Sequence, residues 1–217
     1  MRVEEAGSSN DVAAALAARG CPQGTVVVAG SQRSGRGRQG RPWHSPPGAN
    51  LYCSVVLRPE RPVREWADLS WVVAAAVAVA ARGAGAAGAA LKYPNDVVVA
   101  GRKLAGVLLE TRTGTASPPA LVAGVGLNAN LAAPELPQEL RGTATSLMIL
   151  TGRRHDLGAL LSRLCGELDD WYATWVAGGA EAARARLAAA GLGIAGADAG
   201  GRGALEGGGD ERGGEGG

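Results

Sequence analysis

Phenylalanine is absent from the 217 residues, and aromatic side chains together make up only 4%. A core without Phe must be filled by Ala, Val and Leu, yet 46% hydrophobic residues are enough to build one. Cysteine is scarce as well. Cys21, Cys53 and Cys165 are odd in number, widely spaced and without a C-x-x-C pair, which excludes a disulfide framework and fits a reducing, cytoplasmic setting. No apolar run reaches the roughly 20 residues that a bilayer requires. The longest, Trp71 to Ala81, reads as a buried helix, and the opening MRVEEAGSSN has neither the apolar segment nor the cleavage pattern of a signal peptide. The formal net charge of +2 is too small for a general attraction to nucleic acid. Its distribution says more. No acidic residue lies between Asp11 and Glu60, whereas Arg19, Arg33, Arg36, Arg38, Arg41 and Arg58 do, so this stretch presents a local positive potential suited to an anion.

The same stretch contains GSQRSGRGRQGRPW, residues 30–43. Gly35, Gly37 and Gly40 spell the dinucleotide fingerprint G-x-G-x-x-G after an apparent strand, TVVVAG. That fingerprint works only when the glycines open a helix onto a pyrophosphate. Here Pro42, Pro46 and Pro47 forbid the helix. An Arg/Gly segment for single-stranded nucleic acid is a second reading, with one short cluster in its favour.

A helix is expected to start at the polar cluster Ser8–Asp11 and stop at Gly20. TVVVAG and residues 51–59 read as strands, a long helix is expected from about Glu65 to Arg82, and residues 91–111 form a hairpin with Gly101 at its tip. ALVAGVGLNAN is a strand entering a glycine-punctuated turn, and two helices cover 156–176 and 180–190. Residues 191–217 hold 13 of the 35 glycines and little that is large and apolar, so this tail is expected to be disordered. The order of elements points to an α/β (α+β) domain over 1–190 with a mixed sheet flanked by helices.

Three polar clusters stand at strand ends or in loops: SSN at 8–10, SQRSGRGRQGRPW at 31–43 and KYPND to GRKLAG at 92–106. With GVGLN at 124–128 they make the chain resemble, over roughly residues 3 to 175, the catalytic domain of biotin protein ligases, of the type without a DNA-binding domain. The resemblance implies the biotin/lipoate ligase-like fold. It also implies an ATP-dependent, AMP-forming ligase that makes biotinyl-5'-AMP and passes the biotin to a lysine of a carboxylase's biotin carboxyl carrier domain. ATP and biotin are then substrates, with Mg²⁺ required. Both half-reactions gather anionic oxygens, so fixed cations, backbone donors and exclusion of water matter more than an enzymic nucleophile.

By that pattern Ser8, Ser9, Asn10 and Gln32 hold biotin's neutral ureido ring; without the resemblance they would be a helix N-cap and loop polar residues. Arg36, Gly37 and Arg38 match the loop that holds biotin and the adenylate, with Gly35 and Arg41 beside the nucleotide. Lys103 reaches the biotin carboxylate and the bridging phosphate oxygens. Lys92 and Asp96 form a charged pair near the phosphates, Asp96 as a Mg²⁺ contact, an orienter or an Asx-turn residue. Trp43 packs on the adenylate or in the core, Asn95 lies in the turn beside the nucleotide, and Asn128 binds it or closes its own turn. Lys103, Arg36, Lys92 and Asp96 are thus the catalytic candidates. His44 and His155 receive no role.

The chain departs from the family at Tyr93, where most members have Trp, and after Ala190 nothing alternates like the strands of the family's C-terminal SH3-like barrel. An N-terminal helix-turn-helix is also missing, so DNA is not an expected partner, nor is a membrane; a homodimer is compatible with the family. Two further readings remain open: an impaired biotin-binding remnant, and a lipoate or octanoyl ligase of the same superfamily.

Overall fold

A computed structural model describes residues 1–112 and 119–195. Seven strands form one sheet among the described residues: β1 (Arg2–Ala6), β2 (Val26–Gln32), β3 (Leu51–Leu57), β4 (Ala90–Lys92), β5 (Asp96–Val99), β6 (Arg102–Arg112) and β7 (Ala120–Leu127). Their spatial order is β1-β2-β3-β7-β6-β5-β4. Only β1 and β2 run parallel; every other neighbouring pair is antiparallel, which makes the sheet mixed as expected.

Strand β3 is buried at all seven positions because helices cover both faces. On one face α2 (Leu69–Gly83) packs with the long α4 (Leu157–Ala189), and Leu51, Cys53, Val55 and Leu57 point into that core. The residues 63–83 are long and apolar enough to cross a membrane, but 67% of the stretch is buried inside the molecule, as the Ala/Val composition of a core helix requires. Three tryptophans, Trp71, Trp171 and Trp175, supply the bulk that Phe would otherwise provide. On the other face α1 (Ser9–Ala18) sets Ala13 and Ala17 against Val27, Val56, Ala120 and Val122. That short helix covers only part of its face. Beyond its N-terminus the sheet is floored by glycine, with Ser54 opposite Gly124, Tyr52 opposite Gly126, and Gly126 opposite Gly106.

The strands read from apolar runs are all present, with the β5–β6 turn at Ala100 and Gly101 where the hairpin tip is expected. Residues 63–68 wind as a 3-10 helix before α2 begins. The two helices expected at 156–176 and 180–190 are present as the two arms of α4, which meet at a kink at Gly179, whose φ of 66° and ψ of −156° suit only glycine. Strands β1 and β4 and helix α3 (Leu147–Thr151) have no counterpart in the sequence reading. β1 is an edge strand, RVEEA, with one fully buried side chain, so it lacks the alternation that signals a strand. The first residues of the glycine-rich segment pack rather than trail: Ile194 bridges Leu91 in parallel, and Leu192 is buried. The rest of the tail expected to be disordered, from residue 196, lies outside the described residues.

Candidate active site

A cavity of about 620 Å³ opens on the glycine-floored half of the sheet. Its lining includes Ser8, Ser9, Asn10 and Gln32, then Arg36, Gly37, Arg38, Arg41 and Trp43, and finally Lys92, Asn95, Asp96, Lys103 and Asn128. Residues up to 120 positions apart in sequence thus meet on one wall. Gly35 alone of the expected residues does not line it. A side chain there would come 2.6 Å from Ser45 Oγ and 2.7 Å from the Trp43 carbonyl, so its bareness lets the two arms of the loop cross.

At one end the side chains are neutral and tightly interlocked. Ser8 caps α1, its hydroxyl accepting from the Asn10 amide at 3.3 Å, so the N-cap reading is true of a residue that also faces the cavity. Gln32 Oε1 accepts from the Ser9 amide at 2.8 Å and lies 3.1 Å from its hydroxyl, while Gln32 Nε2 donates to Ser45 at 3.1 Å. Beneath them Ser54, fully buried on β3, donates to Asn10 Oδ1 at 2.6 Å and lies 2.7 Å from Ser9 Oγ. Gly124 makes room for this array, since a Cβ there would run into the Asn10 amide.

The other end is cationic. Lys103 Nζ stands 2.7 Å from Asp96 Oδ1, in an ion pair whose angle does not make a hydrogen bond, and 5.3 Å from the centre of the Trp43 ring. Its backbone is clamped on both sides, donating to the Thr143 carbonyl and accepting from the Thr145 amide. Arg38 donates to Asn95 Oδ1 at 3.2 Å, and Asn95 Nδ2 donates to the Val107 carbonyl, which ties the Arg/Gly loop to β6. The exposed Arg41 and Lys92 make no ion pair among the described residues. Trp43 lies across the glycine floor, where a Cβ on Gly126 would fall 2.5 Å from its ring and one on Gly106 would fall 3.2 Å away.

Arg36 is placed differently from what its motif suggests. Its guanidinium grips Asp11 with two hydrogen bonds, at 2.6 and 3.0 Å, and reaches Glu110 at 3.1 Å. This pairing holds the Asp11 carboxyl below its usual range and keeps Arg36 charged. The loop itself is a narrow hairpin, with Arg36 bridged to Pro42 and Gly37 donating to the Arg41 carbonyl at 2.8 Å. Asn128 also spends its amide on the scaffold: Nδ2 donates to the Thr145 carbonyl at 3.0 Å and Oδ1 accepts from Asn50 at 3.4 Å. That geometry suits the turn-closing role.

Ser54, Glu110 and Asn50 escaped the sequence reading, and Asp11 entered it only as part of the helix start. Each sits in or beside a strand or helix pattern where a polar residue passes for an exposed one. The apolar rim made by Leu131, Leu136 and Leu140 also went unread, because it lies in irregular chain after β7. Among the described residues no three His, Cys, Asp or Glu side chains cluster as a metal site. A lone carboxylate paired with a lysine does not hold Mg²⁺ by itself.

The fold is thus a mixed sheet that carries a cavity neutral at one end and cationic at the other. Residues 8–128 match the model of the Biotin/lipoate A/B protein ligase family, and the chain belongs to that family. It is 33% identical over 157 residues to the bifunctional ligase/repressor BirA of Bacillus spizizenii, covering 72% of this chain and 48% of that protein. To the biotin--[acetyl-CoA-carboxylase] ligase of Mycobacterium tuberculosis it is 37% identical over 183 residues, covering 80% of this chain and 64% of that one. Biotin protein ligase from Aquifex aeolicus, solved in complex with biotin and ATP, superimposes with a TM-score of 0.72 at 28% identity, covering 82% of this chain and 72% of that one. The chain therefore spans about half the length of the BirA relative.

Proposed function

We propose that this chain attaches biotin to a lysine of a biotin carboxyl carrier domain, using ATP and passing through biotinyl-5'-AMP. The observation that carries the reading is the polarity of the cavity, with Ser8, Ser9 and Gln32 at one end and Arg38, Lys92 and Lys103 at the other. Biotin has the same polarity: a neutral ureido head that needs matched donors and acceptors, and a carboxylate at the end of an apolar tail. The Aquifex aeolicus relative, solved with biotin and ATP, supports the choice of substrates.

In the first step a biotin carboxylate oxygen attacks the α-phosphorus of ATP, the bond to the bridging oxygen breaks, and pyrophosphate leaves. Lys103 neutralises charge where carboxylate and phosphate meet, and Asp96 with Trp43 holds its ammonium in place. Arg38 and Arg41 on the loop hairpin supply further cations above the nucleotide, and the bare backbone of Gly37 lets phosphate approach. In the second step the acceptor amine attacks the acyl carbon, AMP departs, and the amine's proton is lost. Asp96 acts as an orienter of Lys103 in this scheme, and Mg²⁺ would enter with the phosphates of ATP.

The test is incubation of the purified chain with labelled biotin, ATP and a carboxyl carrier domain. Label is expected on one lysine of the carrier, and biotinyl-5'-AMP is expected to build up when the carrier is withheld. A chain that neither binds biotin nor forms the adenylate would overturn the reading.

A further inference from the structure

Glu110 sits on β6, on the same face as Gly106 and the cavity-lining Leu108, with 23% of its side chain exposed. It touches both halves of the head-group end at once. Oε2 accepts from Asn10 Nδ2 at 2.8 Å, and both carboxylate oxygens lie 3.1 Å from Arg36 Nη2. Asn10 is only 3% exposed, and its other amide atom, Oδ1, already accepts from Ser54. Ser54 has a single proton, which it gives to an oxygen that can only accept. The Ser9 hydroxyl must then donate to Ser54 or to Gln32, which leaves its own lone pairs for a ligand's N–H. A run of bonds thus joins Arg36, Glu110, Asn10, Ser54, Ser9 and Gln32, and among the described residues Glu110 is the carboxylate that bonds directly to both the loop's Arg36 and the head-group residue Asn10.

We propose that Glu110 is a positioning residue, coupling the conformation of the Arg/Gly loop to the arrangement of the hydrogen-bonding groups that receive the substrate's neutral head. Its second anchor explains why Arg36 faces away from the anion end: the side chain fixes the hinge of the loop, and Arg38 and Arg41 beyond it carry the charge to the ligand. Arg36 has a second carboxylate, Asp11, but Asn10 Nδ2 has only Glu110 as a side-chain acceptor and a long 3.5 Å contact to the Leu108 carbonyl. Removing the charge at 110 therefore loosens both halves together.

The proposal rests on the biotin reading for its ligand and is tested by two independent measurements on Glu110→Gln and Glu110→Asp. The first is amide hydrogen exchange of the ligand-free protein. In Glu110→Gln the Gly37, Arg41 and Trp43 amides, all hydrogen-bonded within the loop, are expected to exchange about 10-fold faster, with helices α2 and α4 unchanged. The second is titration with biotin, in which Glu110→Gln is expected to weaken affinity and raise KM by about 10-fold while kcat changes far less, the loss of one charge-assisted hydrogen bond. Glu110→Asp, which keeps the charge on a shorter stem, should recover part of both effects. Unchanged loop exchange in Glu110→Gln, or uniformly faster exchange through the whole protein in both variants, would overturn the positioning role. Failure of the unaltered protein to bind biotin would overturn the functional reading instead, and loop exchange would still decide the coupling.

Discussion

Lys103 shows how much placement one side chain needs. Asp96 draws its ammonium, Trp43 faces it, its backbone is held by Thr143 and Thr145, and the missing side chain of Gly106 leaves room for its stem, 3.1 Å from where a Cβ would be. Lys103→Ala is expected to slow adenylate formation by about 100- to 1000-fold, the usual cost of one transition-state electrostatic contact, without shifting the thermal midpoint. Pyrophosphate release and a melting curve on the same sample check both halves of that statement. Gly126→Ala acts from the opposite side, since its methyl group would displace the Trp43 ring. Biotin affinity should fall by about 10-fold or more in that variant, read by calorimetry, with Trp fluorescence changed before any ligand is added. Lys103, Arg38 and Gln32 were legible because they belong to the motifs that carry the family resemblance, in the Arg/Gly loop or at the ends of β2 and β6. Ser54 and Glu110 were hidden because a polar residue in LYCSVVL or GVLLET looks like ordinary alternation toward solvent. Only the pairing of β3 with β7 and of β6 with β7 shows that this face is covered by α1 and the cavity.

Helices and strands were legible where a long apolar run marked them, as in α2 and β7, and illegible where tertiary partners set the conformation, as in the three-residue β4. Gly179 falls in the gap between the two helices expected from the sequence, where it breaks α4 with a backbone conformation that suits only glycine, and Arg61 fills the space beside it, 2.7 Å from where a Cβ would stand. Gly179→Ala should destabilise the fold by about 1–3 kcal/mol. The midpoint of thermal unfolding should then fall by about 5 °C, while biotin binding by the folded protein stays unchanged. The turn between α3 and α4 holds a pH-sensitive joint. His155 exchanges hydrogen bonds with Asn130 through its backbone and meets Thr151 Oγ1 at 2.8 Å, and burial together with Arg153 lowers its pKa below the ordinary 6.5. A proton is therefore bound more readily by the unfolded chain. The stability that neutral His155 preserves is complete above pH 6.5 and is lost as pH falls through the lowered folded value. Denaturant midpoints at pH 7.5 and 5.5 should differ more in the unaltered protein than in His155→Gln.

At the scale of the whole molecule, the lack of Phe is met by placing three Trp residues in the layer between sheet and helices, where they are nearly or wholly inaccessible. Cys53 lies at the bottom of that layer, fully buried, and burial pushes its thiol up to about 12, whereas Cys21 on the rim of α1 is partly exposed. A thiol reagent at neutral pH should accordingly label Cys21 first and leave Cys53 untouched until global unfolding. The rate of Cys53 labelling, followed by intact mass, would then report the opening of the entire core.

The contact between residues 192–195 and β4 has a practical consequence for cutting the chain. A version ending at 190, the natural choice from the glycine pattern, would strip the Leu91 amide and carbonyl of their partners, Gly193 and Ala195, and uncover the apolar site of Leu192. It would leave a bare sheet edge beside Arg82, whose guanidinium would also lose the carbonyl of Gly191. Such an edge is a template for another strand. Truncation after 195 should give a well-behaved monodisperse protein, and truncation after 190 a self-associating one.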